Sequence, residues 1–183
     1  RFLDKKITSF AMSIAVTIGI DNTILIYSTI PIYHEVLTIM FAARVERVIN
    51  KPIQEVFRYL SDHAGYTQFK GVKVAELLSE GTQERNGKGA VRKIGAGPLE
   101  FIEEITEFER PFRMHYHITA SKPFHIHHTK GEITLTQHGM GTKVEWETAG
   151  YHTMPILGPV FDKILQSRIG GAFGGILKGI EQA

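Results

Sequence analysis

The chain contains no cysteine, which excludes disulfides, thiolate catalysis and thiolate metal sites and suits a reducing compartment such as the cytoplasm. Aspartate is nearly absent. Its four copies, Asp4, Asp21, Asp62 and Asp162, fall in no arrangement that serves a serine triad, and no G-x-S-x-G elbow is present. No run of five or more basic residues occurs, and 21 basic against 19 acidic side chains leave a formal charge of only +2. The footprint of phosphate neutralisation is missing, so nucleic acid is not an expected partner. Phosphate-cradling loops are missing too. The GK within residues 81–89 lacks the spacing G-x-x-x-x-G-K-[ST], and the paired glycines after Ile169 do not follow a strand as G-x-G-x-x-G must. No cofactor is expected.

What is present is a globular balance. Of 183 residues, 43% are hydrophobic and 22% charged, enough for one domain with a core and an appendage. The appendage is residues 1–39, with nine isoleucines, one glycine and only six charged side chains. Its two uncharged runs, 7–20 and 22–34, are each too short to span a bilayer as a helix, and joining them would bury Asp21 at a cost of about 2.5–3.5 kcal/mol. Arg1, Lys5 and Lys6 ahead of an apolar run resemble the start of a signal peptide, but no A-x-A pattern follows. Membrane contact through residues 1–39 is one reading, which would make the protein membrane-associated. The other is a segment foreign to the domain, with Met40 as the natural start. Its sixteen Ile, Val and Thr residues favour strand over helix, and so apolar a segment needs a docking place.

From Met40 onward the pattern is regular. Residues 41–49 form a strand. Asn50 is placed to cap a short helix in which Pro52 sits in the first turn and Ile53, Val56, Phe57 and Leu60 share a face. A second short helical piece carries Tyr66 and Phe69. Six strands follow, over residues 72–78, 90–94, 99–108, 112–119, 125–137 and 142–149, punctuated by glycine and proline turns. With no helical crossovers the sheet is antiparallel. A final helix begins after Gly158, and its broad apolar face includes Phe161, Ile164, Leu165, Ile169, Phe173 and Ile176. Five glycines interrupt it, at about 1 kcal/mol each against alanine. They serve either close backbone approach, the favoured reading, or open volume for a ligand.

Several stretches together carry a resemblance: VERVINKPIQEVFRYL with Asp62 and Tyr66 after it, GKGAVRKI ending in Ile94, LEFIEEITEFERPFRMHYHI, GEITLTQHGMGTKVEW ending in Trp146, and the long terminal helix. In this order the chain from Phe41 to Ala183 resembles the helix-grip superfamily of START domains, the major birch-pollen allergen and bacterial polyketide cyclase/dehydrase-like proteins. The resemblance implies an α+β fold, with a seven-stranded curved antiparallel sheet wrapped around a long C-terminal helix and two short helices after the first strand. It also implies a cavity between sheet and helix for a lipid, isoprenoid or polyketide-like molecule, in a carrier or, alternatively, a cyclase, aromatase or dehydrase. A third reading is an interaction protein docking through the glycine-rich helix. Oligomeric state is not legible.

Alternation along the strands names the expected lining. Val144, Trp146 and Thr148 point inward in the last strand; His127, Thr129, Ile133 and Leu135 in the one before; Met114, Tyr116 and Ile118 in the strand before that. With Tyr66, Phe69, Phe101, Phe161, Leu165 and Phe173 these form the candidate cavity. Five histidines, His115, His117, His125, His127 and His128, invite a metal reading because an H-x-H pair shares one strand face. Parity sets the two pairs on opposite faces unless a bulge intervenes, so no metal site is expected. For acid–base chemistry the candidates are Glu103 or Glu104 facing His127 or Arg92, set against an exposed glutamate paired with Lys93 or Arg113, the favoured reading.

Overall fold

Period-two alternation of apolar side chains is kept long enough in this sequence to bury one face of a whole sheet. The computed structural model describes residues 16–20, 23–27, 39–152 and 158–183, with side chains described over 41–152 and 162–183. In chain order the strands are β1 (Val16–Ile20), β2 (Thr23–Tyr27), β3 (Ile39–Ile49), β4 (Val74–Ser79), β5 (Val91–Ala96), β6 (Leu99–Glu109), β7 (Arg113–Lys122), β8 (His127–His138) and β9 (Gly141–His152). Helix α1 (Ile53–Ser61) and a 3-10 helix (Ala64–Gln68) follow β3, and α2 (Gly158–Gln182) follows β9.

All neighbours pair antiparallel in the order β1-β2-β3-β9-β8-β7-β6-β5-β4. The seven strands expected from residue 40 onward are present. Two more come from the appendage: β1 pairs with β2, and β2 lies against β3, with Leu25 opposite Val45. Among the described residues, no helix is long and apolar enough to cross a membrane.

The inner face is written by alternation. Phe41, Ala43, Val45 and Ile49 of β3, Leu99, Phe101 and Ile105 of β6, Met114, Tyr116 and Ile118 of β7, and Val144 and Trp146 of β9 are all buried. Outward positions of β3, β8 and β9 carry a charge ladder instead: Arg44 pairs with Glu145 and Glu147, Lys143 with Glu46, and Lys130 with Glu147. Bulges in β6 between Ile102 and Glu103 and between Ile105 and Glu107 bend the sheet around its concave side.

The expected cap of α1 is corrected. Pro52 is the N-cap residue, and its carbonyl takes the Glu55 and Val56 N–H groups, whereas Asn50 lies before the helix. The buried face of α1 is Ile53, Val56, Phe57 and Leu60, as its spacing requires.

Helix α2 is tied at both ends. Asp162 in its first turns accepts from His152 of β9 at 3.0 Å, and near its end Glu181 pairs with the buried Arg47 of β3 at 2.5 Å. Its glycines do not act alike. A Cβ on Gly175 would stand 2.7 Å from the Lys70 carbonyl oxygen, and one on Gly179 2.4 Å from the Phe69 ring, so these two permit close approach; at Gly171 nothing lies within 4 Å. The apolar face is narrower than its sequence suggests, since Ile164 is 52% exposed.

Candidate functional site

Between the concave sheet and α2 lies a cavity of about 40 Å³. That is room for a few water molecules, well short of the roughly 300–1,000 Å³ of a typical small-molecule site. Its walls are mostly apolar, with Phe101, Ile118, Trp146, Ile169, Phe173 and Ile176 around Tyr66, Tyr116 and Thr148. The volume is small because Phe173 of α2 lies flat on Trp146 of β9, ring centroids 4.0 Å apart and planes 10° apart.

Inside this wall sits an ion pair. Arg92 of β5 is 1% exposed and Glu103 of β6 6%, and the two residues are register partners, so adjacent strands deliver both side chains to the same spot. Arg92 Nε donates to Glu103 Oε2 at 2.7 Å. The guanidinium lies between the Tyr66 and Tyr116 rings, 5.5 and 5.3 Å from their centroids. Burial opposes the Arg92 charge, but Glu103 and the two phenols more than offset it and hold its pKa above the ordinary value. Arg92 Nη1 is buried without a hydrogen-bond partner. An unpaired cationic donor in an apolar wall is costly unless something fills its place.

The aromatic polar groups are also constrained. Burial, foremost, pushes the Tyr66 phenol up to about 12, and its hydroxyl donates to the Leu60 carbonyl at 2.5 Å. Burial likewise raises Tyr116, whose oxygen accepts from Trp146 Nε1 at 3.1 Å. His63, in the bend between α1 and the 3-10 helix, is wholly buried with both ring nitrogens unpartnered; burial first, and then the Arg92 charge, lower its pKa well below 6.5.

The sequence candidates separate into three groups. Tyr66, Phe101, Tyr116, Ile118, Trp146, Phe173, Arg92 and Glu103 line the cavity. Phe69, Met114, Ile133 and Leu165 are buried core but do not border it. The Phe161 side chain lies outside the described residues. His127 and Thr129 are corrected: both are exposed, and His127 stacks on Tyr151 with centroids 4.6 Å apart. The cause is a bulge between His128 and Lys130, which adds one residue and turns His128 inward in place of its neighbour. Glu103 is corrected in the other direction. Its partner is Arg92 inside the wall, while Glu104 is the exposed one of the two.

The sequence brought up His128 only as one of the five histidines weighed for a metal site, not as an inward side chain. Strands β7 and β8 pair only from Arg113–Thr134 to His115–Glu132, and beyond that point the His128 ring occupies the seam. Its Nδ1 accepts the Ile118 N–H at 3.1 Å, its Nε2 meets Thr148 Oγ1 at 3.0 Å, and its ring stacks on Tyr116 at 5.4 Å. Burial, helped by His117 with its ring 5.5 Å away, lowers the His128 pKa from 6.5 to about 4. Among the described residues no group of three or more potential ligands is placed to hold a metal ion.

A pH dependence follows. An unfolded histidine takes its proton near 6.5 and His128 in the fold only near 4, so between these values the unfolded chain binds more protons. Stability is then full above about 6.5 and falls as pH drops toward 4. His63 acts with the same sign. Thermal melts over this window should show that loss, and a His128→Asn variant should show a shallower one. An unchanged slope would mean that the ring is neutral for no energetic reason.

Residues 40–183 match the family described as polyketide cyclase / dehydrase and lipid transport. No curated protein matches the chain. Among solved structures, TTHA0849 from Thermus thermophilus is 23% identical, with 77% of this chain and 94% of that one covered and a TM-score of 0.63. The STAR-related lipid transfer protein from Xanthomonas axonopodis is 12% identical with a TM-score of 0.65, and covers 93% of this chain and 99% of its own, reaching beyond the family-matched residues. The Zhui aromatase/cyclase from Streptomyces sp. R1128 is 14% identical, covering 78% and 92%, with a TM-score of 0.62. At such identities the likeness is one of fold. The match over most of its length gives the classification: the chain belongs to the polyketide cyclase / dehydrase and lipid transport family.

Proposed function

We propose that the protein binds and carries a hydrophobic small molecule in the space between the sheet and α2. The observation that supports this most is the orphan Arg92 Nη1 in an otherwise apolar wall. A cavity of that composition offers burial of apolar surface, at about 25 cal/mol per Å², with one polar point to fix orientation. The family carries lipid transport in its description, and the Xanthomonas axonopodis neighbour is named for lipid transfer.

Occupancy requires the Trp146–Phe173 stack to part, because the closed cavity is far smaller than such a ligand. Ligand uptake is thereby coupled to an outward shift of α2 or of the Phe173 ring. The alternative, a cyclase or dehydrase, draws support from the family description and from the buried Glu103. Against it, Glu103 is already held by Arg92, and among the described residues no histidine lines the cavity. The carrier is the preferred reading.

Trp146 is the only tryptophan, so its emission reports the cavity directly. Protein purified from its own host should carry a hydrophobic species detectable by native mass spectrometry. Extracting that species, or titrating it back, should change Trp146 emission as Phe173 leaves or returns. Protein that is empty, and whose emission no host lipid extract alters, would overturn the carrier reading.

A further inference from the structure

Two stretches that meet beside the cavity carry positive charge and no acid. Residues 63–75 include Lys70 and Lys73, residues 163–180 include Lys163, Arg168 and Lys178, and neither stretch holds an aspartate or glutamate. All five cationic side chains are exposed. The stretches form one surface, since Lys70, Gly175, Lys178 and Gly179 line a single groove and a Cβ on Gly175 would stand 2.7 Å from the Lys70 carbonyl oxygen. On α2 the exposed positions Lys163, Ile164, Ser167, Arg168, Gly171 and Lys178 follow helical spacing and share the side opposite the buried one.

The carboxylates that bound these stretches are engaged elsewhere. Asp62 accepts the Gly65 N–H at 3.3 Å, Asp162 is held by His152 and Glu181 by Arg47, which leaves Glu76 of β4, exposed, at the edge of the first stretch. Over the rest of the surface most cations are paired: Arg44, Lys51, Lys93, Arg110, Lys130 and Lys143 each reach a glutamate. Among the described residues, Lys70, Lys73, Lys163 and Arg168 stand in no ion pair.

We propose that this face docks the protein on a bilayer of anionic lipid, with the outer side of α2 lying against the surface and Ile164 entering it. Charge complementarity is the first ground. A cation with no carboxylate beside it keeps its attraction for a negative bilayer, about fivefold in binding for each. The choice of a bilayer over an acidic protein rests on the carrier reading above, because a hydrophobic cargo has to leave and enter an apolar phase. Ile164, 52% exposed among these cations, suits the boundary of such a phase. The position fits as well: Arg168 stands on this face and also borders the cavity, and Phe173 of the same helix closes the space over Trp146. Docking thus sets the movable wall of the cavity against the source of its ligand.

Flotation of the full chain with vesicles of phosphatidylcholine alone, and with vesicles in which phosphatidylserine replaces about a third of it, tests the proposal. Binding should be strong only with phosphatidylserine and should fall as salt rises, since the Debye length shrinks from about 10 Å at 0.1 M to about 3 Å at 1 M. Lys70→Gln/Lys73→Gln/Lys163→Gln removes three of the unpaired cations, none of which borders the cavity, and should weaken binding about a hundredfold. Arg85→Gln/Lys88→Gln, in the loop between β4 and β5, should cost little. Every variant keeps residues 1–39, so contact through that segment cannot imitate the difference. The chain has no cysteine, and an environment-sensitive label on Ile164→Cys therefore reads this face alone. Its emission should move to the blue with phosphatidylserine vesicles, whereas a label on Lys88→Cys should not respond.

Equal binding to the two kinds of vesicle, binding that survives the triple substitution, or an equal loss in the loop variant would overturn the proposal. So would an Ile164→Cys label that answers to polyglutamate and to neither vesicle, which would make the face a site for an acidic protein. Should the triple variant fail to fold, the two labels still decide. The carrier reading is judged separately, by Trp146 emission with a host lipid extract: if that signal never changes while the vesicles bind, the carrier reading falls and the docking face stands.

Discussion

Arg92→Met should lower stability by about 3–5 kcal/mol, the cost of leaving a buried charge without its partner. The carboxylate of Glu103, 6% exposed, would lose the Nε–H donor now 2.7 Å away. Urea unfolding of the single variant measures the loss. Replacing the pair together, Arg92→Met with Glu103→Leu, should recover most of it, because a well-packed apolar substitute for a buried ion pair is often neutral or stabilising. The double variant should at the same time lose selectivity for ligands with a polar end. A single variant costing under about 1 kcal/mol would mean that the carboxylate is solvated and the cavity far wetter than its walls suggest.

Gly131→Ala should also be severe, by about 1–3 kcal/mol of overpacking with no simple relief. A Cβ at Gly131 would stand 2.5 Å from the Tyr116 carbonyl oxygen, 2.6 Å from His128 Cε1 and 2.7 Å from Tyr116 Cε2. Two of these atoms belong to the seam in which His128 replaces the strand ladder, so β8 would have to move away from β7 where few backbone pairs hold it. Thermal melts give the stability, and hydrogen exchange at the Ile118 amide reports whether His128 has left its place. Gly171→Ala is the control. Nothing lies within 4 Å of its Cβ position, and in a helix the change should stabilise by about 0.5–1 kcal/mol. If the two substitutions behaved alike, the seam would not be packed as described.

Much of the fold is legible because it is repeated. The inward set of β7, Met114, Tyr116 and Ile118, and that of β9, Val144, Trp146 and Thr148, follow from alternation alone, and both sets are buried. In α1 the helical spacing of Ile53, Val56, Phe57 and Leu60 does the same. Where the register shifts, the pattern fails. One extra residue at the β8 bulge exchanged His127 for His128, and alternation has no means of locating a bulge in advance. The partner of Glu103 was hidden for a different reason: Lys93, Arg113 and Arg92 are all within plausible reach on a strand diagram, and only the pairing of β5 with β6 brings Arg92 opposite Glu103.

The apolar content of residues 1–39 likewise announced strands without saying where they go. The Leu25–Val45 pairing of β2 with β3 places them at the edge of the same sheet. Similarly, the five glycines of α2 favoured close approach over open space without saying which of them make it. Gly175 and Gly179 meet the segment at Phe69 and Lys70, and Gly171 meets nothing.

By itself the sequence determined the order of elements, the antiparallel sheet and the apolar character of its inner face, because these depend on periodicity and turn chemistry that are local to the chain. Only the tertiary structure decided that Arg92 and Glu103 share the cavity wall, that Phe173 closes the space over Trp146, and that His128 reaches Ile118 and Thr148. Those contacts join residues far apart in the chain, and their existence turns on strand register and one bulge, which no local pattern encodes.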